Sequence, residues 1–228
     1  MIVLTYCFGL SIPRTAFAFH PRLQYFKSSG KSIAYETLDA GPNTPIIILL
    51  SGTSGPETPF IRSQARIFQA SHFTVMTLHY FDAGSTHDAS QENYRLWVRA
   101  VEDLVSECNT DAPHAHRKIG LLGYSLGAEI ALAVGSQLVP VAAIAEWYGG
   151  LPDVYFRNLK GMPPLLILHG TRDSNIPVVN ATQLVKLCAL AGFNCRSHIY
   201  PDQEHGFIGK SLEDADSRTV QFFLELLK

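Results

Sequence analysis

The 228-residue chain is short of charge and of cysteine. Only 17% of its residues are Asp, Glu, Lys or Arg, and the formal net charge is -2. No cluster of Lys and Arg occurs, which argues against nucleic acid as a partner, because phosphate neutralisation needs concentrated cationic side chains. The four cysteines, Cys7, Cys108, Cys188 and Cys195, have no metal-ligand spacing, so no metal centre is expected. Cys188 and Cys195 flank an expected helix-to-strand turn, and two readings stay open: a bridge in an exported protein, or two packed thiols. Cys108 has no evident partner. No apolar run reaches the ~20 residues of a membrane span. Repeats and low-complexity tracts are lacking too, which excludes solenoids and disordered linkers. The N-terminus lacks the positive region of a secretory signal, and Arg14 interrupts its apolar stretch, yet Ala16-Phe17-Ala18 has the small-x-small form of a cleavage site. Residues 1–20 are therefore read as a candidate signal peptide or a disordered N-terminus, with cytoplasmic and exported locations both open.

What the chain does have is 46% hydrophobic residues in a strand–helix alternation. Residues 23–27 and 32–38 suggest a hairpin turning at Ser29-Gly30. Residues 46–50 are an unbroken Ile/Leu run, the mark of a strand buried on both faces of a parallel sheet. Thr58-Pro59 predicts a helix start with proline at the first position. Further strands are expected at 73–79, 119–123, 141–147, 165–169 and 196–200. Helices are expected at 91–108, 126–138, 178–191 and 215–227. The pattern predicts one α/β domain over residues 21–228, with a mostly parallel sheet of about eight strands, helices on both faces and no large lid.

The most informative segment is Gly123-Tyr124-Ser125-Leu126-Gly127, a G-x-S-x-G turn between an expected strand and an expected helix. Such a turn exposes a serine hydroxyl at the top of the sheet. The hydroxyl needs a base, and the base needs an orienting carboxylate. His205 and Asp173 each follow an expected strand, in the chain order Ser, Asp, His. Ser125, Asp173 and His205 are therefore the candidate catalytic residues. Glu146, at another strand end, is an alternative acid. The amides of Leu126 and Thr53 are the candidate oxyanion donors, Thr53 lying in the loop Ser51-Gly52-Thr53-Ser54-Gly55. Tyr124, Trp147, Tyr148, Phe81 and Phe207 are candidate walls of a substrate pocket. His79, Asp82 and His87 stand near its expected mouth.

With these residues in view, the sequence resembles the α/β-hydrolase superfamily and, within it, the dienelactone hydrolase family. The resemblance runs from residue 46 to the C-terminus. It rests on Gly123-Tyr124-Ser125-Leu126-Gly127, on His169-Gly170-x-x-Asp173 with Ile176-Pro177, and on Tyr200-Pro201 with His205-Gly206-Phe207. It implies a nucleophile–Asp–His triad and no cofactor. The chain departs from dienelactone hydrolases proper in three places. Ser125 replaces their cysteine, the loop at 51–55 lacks their glutamate, and Tyr80-Phe81-Asp82-Ala83 lacks their substrate-binding arginine. The expectation is a serine hydrolase of small carboxylic esters or thioesters, a monomer or homodimer. A non-catalytic binding protein of the same fold and a small peptidase or amidase are the alternatives.

Overall fold

The computed structural model describes residues 21–110, 114–137, 139–152, 159 and 161–228. The candidate signal segment, residues 1–20, lies outside them.

Among the described residues, eight strands form one sheet in the order β1-β2-β4-β3-β5-β6-β7-β8. They are β1 (Arg22–Ser28), β2 (Lys31–Leu38), β3 (Ile46–Leu50), β4 (Thr74–Leu78), β5 (Ile119–Tyr124), β6 (Ala143–Trp147), β7 (Leu165–Gly170) and β8 (Cys195–Tyr200). The first two form the hairpin expected at Ser29-Gly30, and β2 runs antiparallel to β4. From β4 to β8 every pairing is parallel. The strands β3, β4, β5 and β6 are buried along their whole length because helices cover both faces, and β3 is an unbroken Ile/Leu run.

Among the described residues, five α-helices make the two outer layers: α1 (Pro59–Ala70), α2 (Gln91–Thr110), α3 (Leu126–Gly135), α4 (Val179–Ala191) and α5 (Gly209–Leu227). The apolar faces of α2, α3 and α4 enclose one core, and those of α1 and α5 the other. At the start of α1, Thr58 Oγ1 accepts from the Ile61 amide while Pro59 begins the first turn, a side-chain cap followed by a residue that has no N–H to satisfy. Among the described residues no helix is long and apolar enough to cross a membrane.

Two helix boundaries differ from the sequence expectation by more than two residues. The helix after Ser125, α3, ends at Gly135 rather than 138, and Ser136 closes it by donating its hydroxyl to the Ala133 carbonyl, 2.7 Å; Leu138 lies outside the described residues. The last helix starts at Gly209 rather than 215. Its first turns carry Lys210, Ser211, Glu213 and Asp214 and touch the core only through Leu212, so the apolar period is hidden there. Cys188 and Cys195 are joined as a disulfide between α4 and β8, and Cys108 is a buried thiol.

At β3 the strand order reverses: the chain passes to β4 on one side, then to β5 on the other. The crevice outside the carboxyl ends of β3 and β5 is the place where such sheets bind ligands. The loop 51–55 and the start of α3 stand there. Toward the opposite, amino ends of the strands, Phe223 of α5 is fully buried, with its ring edge-on to Phe68 and Phe73 and close against Gly120. Phe223→Ala should cost about 3–5 kcal/mol, read as a lower urea midpoint at an unchanged slope. Leu190→Ala, at an 84% exposed position, should stay within about 0.5 kcal/mol of the parent.

Candidate active site

Ser125 sits between β5 and α3 with φ 54° and ψ -121°, a conformation L-residues avoid, at a cost of about 1–3 kcal/mol. The flanking glycines explain how the chain gets there. A Cβ on Gly123 would lie 2.3 Å from the Gly127 carbonyl oxygen, and one on Gly127 would lie 2.2 Å from that of Leu50. No larger residue fits either place without moving backbone. The Ser125 amide donates to the Trp147 carbonyl at the end of β6, 3.0 Å, which ties the turn to the neighbouring strand. The next amide, Leu126, opens the helix and has no intrahelical acceptor.

Asp173 lies in the turn after β7, and its side chain is buried. Oδ1 accepts from the amides of Asn175, 3.0 Å, and Ile176, 2.8 Å. Oδ2 faces His205 Nδ1 at 2.8 Å, and His205 Nε2 faces Ser125 Oγ at 2.8 Å. An ionised carboxylate only accepts, so Nδ1 carries the hydrogen and Nε2 is left as the acceptor for the serine hydroxyl. The three residues predicted from sequence are thus brought into one hydrogen-bonded chain.

The loops carrying Asp173 and His205 are stitched to each other. The Thr171 amide donates to the Tyr200 carbonyl and the Arg172 amide to that of Gln203. The Asp202 amide donates to Thr171 Oγ1, and Arg172 pairs with Asp202 at 2.8 Å. Gly170 permits this closeness, since a Cβ there would lie 2.3 Å from the Gln203 carbonyl oxygen.

Ser125 and His205 open onto a cavity of about 490 Å³. Thr53 lines it, as do Tyr124 and Tyr148. The Tyr148 ring rests edge-on against His205, 4.9 Å between centroids. Burial pushes the phenols of both tyrosines well above their usual range, so both are neutral donors. Tyr124 gives its hydrogen bond to buried Gln64 Oε1, 2.8 Å.

The other three aromatic positions do not face this cavity. Trp147 still belongs to the β6 pleat, and its indole points toward α5, where Nε1 donates to Thr219 Oγ1. Phe207 packs against Trp147, Tyr148 and Tyr200 behind the cavity wall. Phe81 packs on Tyr80 and Trp97 and stacks on His87. With His79, Asp82 and His87 it lines an adjoining hollow of about 260 Å³ that shares Thr53, Ser54 and Gly55 with the serine cavity. Sequence reading missed Thr58, Phe60, Ile61 and Asn175, which line the serine cavity. The signal for the first three was present, because α1 follows directly on the loop after β3.

Glu146, the alternative acid, is engaged elsewhere. It is fully buried and accepts from the Gly149 amide, 2.9 Å. Burial pushes its pKa up to about 8, the Gly149 bond opposes this, and Glu129 nearby adds to it. It therefore holds its proton at neutral pH.

A carboxyl with a higher pKa folded than unfolded keeps a proton that the unfolded chain releases. Its effect is nil below the unfolded value, 4.5, and grows unfavourable as pH rises toward 8. Glu146→Gln, which does not titrate, should gain on the parent across that window by at most about 1.4 kcal/mol per pH unit. Denaturant unfolding at several pH values would measure it, and a difference that does not vary with pH would contradict the assignment.

Comparison with known proteins places this geometry. A dienelactone hydrolase from Anabaena variabilis superposes with a TM-score of 0.75 at 16% identity, covering 92% of this chain and 99% of that one. An esterase from Pyrococcus furiosus superposes with a TM-score of 0.75 at 15% identity, covering 92% of each. At these identities the likeness is one of fold. The mouse protein "Inactive dipeptidyl peptidase 10" is 28% identical over 159 residues, 58% of this chain and 19% of its own length. The chain thus spans about a fifth of that relative. The match to a family is broader, running over residues 79–227, from the end of β4 to the last residue of α5. The fold, the turn at Ser125 and that match agree: the chain belongs to the dienelactone hydrolase family.

Proposed function

We propose that this protein is a serine hydrolase that cleaves small carboxylic esters or thioesters through an acyl-enzyme. The observation that carries the proposal is the pair of 2.8 Å contacts from His205 to Ser125 Oγ and to Asp173 Oδ2, at the floor of an open cavity.

In this reading Ser125 Oγ attacks the substrate carbonyl while its proton passes to His205 Nε2. Asp173, acceptor-only and fixed by two amides, holds the ring with Nδ1–H toward it and stabilises the imidazolium. The carbonyl oxygen becomes an oxyanion, facing the amides of Leu126 and Thr53. Closeness of the loop supports the role of Thr53: a Cβ on neighbouring Gly52 would meet Ser125 Cβ at 3.2 Å. The carbon–oxygen bond of an ester, or the carbon–sulfur bond of a thioester, then breaks, and Nε2–H gives its proton to the departing alkoxide or thiolate. Water repeats the sequence on the acyl-enzyme, giving the acid and restoring Ser125. Tyr124, Tyr148, Phe60 and Ile61 supply apolar surface for the acyl or leaving group.

A peptidase reading draws on the likeness to a dipeptidyl peptidase. A binding-protein reading draws on that relative's being described as inactive. The intact hydrogen-bonded chain at Ser125 favours catalysis over the second.

Ser125→Ala should lower turnover of a p-nitrophenyl ester at least 10³-fold without changing thermal stability downward. A fluorophosphonate should label the parent and not the variant. Undiminished turnover by the variant would remove Ser125 from the mechanism, and an unlabelled parent would favour the binding protein. Matched ester and anilide substrates separate esterase from peptidase: the ester should be the faster by a wide margin. Turnover should also fall on acidification, as protonated His205 can no longer take the serine proton.

A further inference from the structure

Asp173 has a second imidazole beside it. His169, the penultimate residue of β7, just before Gly170, is fully buried. Its Nε2 lies 2.8 Å from the Ile176 carbonyl oxygen and 3.3 Å from Asp173 Oδ2. A carbonyl only accepts, so Nε2 carries the hydrogen. Nδ1 is then a bare lone pair, shielded from solvent and without a partner among the described residues. Protonation would bury an unpaired N–H on a charged ring. Burial accordingly holds the pKa of His169 below the usual histidine value, against the opposing pull of the Ile176 carbonyl and Asp173. The ring is a neutral donor of fixed tautomer.

Its place in the turn gives it a task. The amides of Asn175 and Ile176 fix the Asp173 carboxylate, but they belong to the same turn and set it only relative to itself. His169 belongs to the strand. By donating to the Ile176 carbonyl it ties the far end of the turn to β7, and its N–H stands beside the oxygen that faces His205. His169 is not among the residues lining the serine cavity.

We propose that His169 is a positioning residue of the active site: it anchors the turn from Asp173 to Ile176 on β7 so that Asp173 Oδ2 meets His205 Nδ1. The inference rests on the triad reading above. The groups facing His205 are Asp173, Ser125 Oγ and the Tyr148 ring. Those facing His169 are Asp173 and the Ile176 carbonyl, with His205 at longer range. Loss of the His169 donor frees the turn and leaves Oδ2 with one fewer N–H, which changes both the orientation and the proton affinity of His205. Ground-state binding of substrate is left as it was.

The test compares the parent with His169→Leu, His169→Gln, His169→Asn and Ser125→Ala. The readouts are p-nitrophenyl butyrate hydrolysis from pH 5 to 9, the rate of fluorophosphonate labelling, and thermal melts. His169→Leu should lower kcat about 10–100-fold, the scale of a misplaced catalytic group, with KM within about twofold. It should also displace the acid limb of the kcat/KM profile. His169→Gln, whose amide N–H reaches the place of Nε2, should recover most of the rate and return the limb toward the parent. His169→Leu as active as the parent, or His169→Gln no better than a folded His169→Leu in rate and limb, would overturn the inference. If His169→Leu fails to fold, Gln is compared with Asn, whose shorter amide falls short of the Nε2 place. Asn should then be the slower, and equal rates would overturn the inference. Ser125→Ala keeps the two readings apart: a dead Ser125→Ala beside an unimpaired His169→Leu sinks only the role of His169, whereas an active Ser125→Ala sinks the triad and this role with it.

Discussion

Two hydrogen bonds of 2.8 Å, one on each side of the His205 imidazole, are the contacts on which the rest of the site depends. Their three partners come from loops after β5, β7 and β8. Hydrogen bonds weaken steeply with distance and angle, so three loops from distant parts of the chain must be set to within a few tenths of an ångström. A parallel sheet packed dry on both faces can hold them so. Its strands pair in register from β4 to β8, and each loop leaves its strand end already aimed. The bonds between the 171–173 and 200–205 segments, with Gly170 allowing contact, then lock Asp173 and His205 together.

The site is also where the chain stores unfavourable geometry. Ser125 has positive φ, and so does Tyr148 at the end of β6, φ 43°. Each sits one residue beyond a central strand, and each is held by a hydrogen bond from its backbone amide to the next strand: Ser125 to the Trp147 carbonyl and Tyr148 to the Leu168 carbonyl. The strain turns Ser125 Oγ and the Tyr148 ring toward His205, where an extended residue would have continued the pleat. The buried sheet beneath supplies the stability that offsets it.

Much of this was legible in the sequence, and the reasons are local. Buried parallel strands are continuous apolar runs, so β3, β5 and β7 are visible as such. The two glycines around Ser125 announce a turn that excludes side chains, and Asp173 and His205 lie just past strand ends. What was not legible follows from direction rather than identity. Trp147, Tyr148 and Phe207 are all aromatic and near the serine in sequence or topology, but only Tyr148 faces the cavity, because the pleat sends Trp147 toward α5. His169 was visible as part of His169-Gly170-x-x-Asp173 yet had no assignable task, since the bond that gives it one goes to a backbone carbonyl. Asp173 and Glu146 are both acids at strand ends, and only the fold hands His205 to the first while burying the second beside the Gly149 amide.

By itself, then, the sequence determined the α/β architecture, the hairpin at its edge, the glycine-flanked turn at Ser125 and the short list of polar groups able to meet it, because period, turn chemistry and residue type are properties of short segments. The tertiary structure decided which side chains meet: which acid orients the imidazole, which aromatics line the cavity and which ring braces the acid's turn. Those choices depend on the register of strands distant in sequence and on the direction each side chain takes from its pleat, and no local pattern records either.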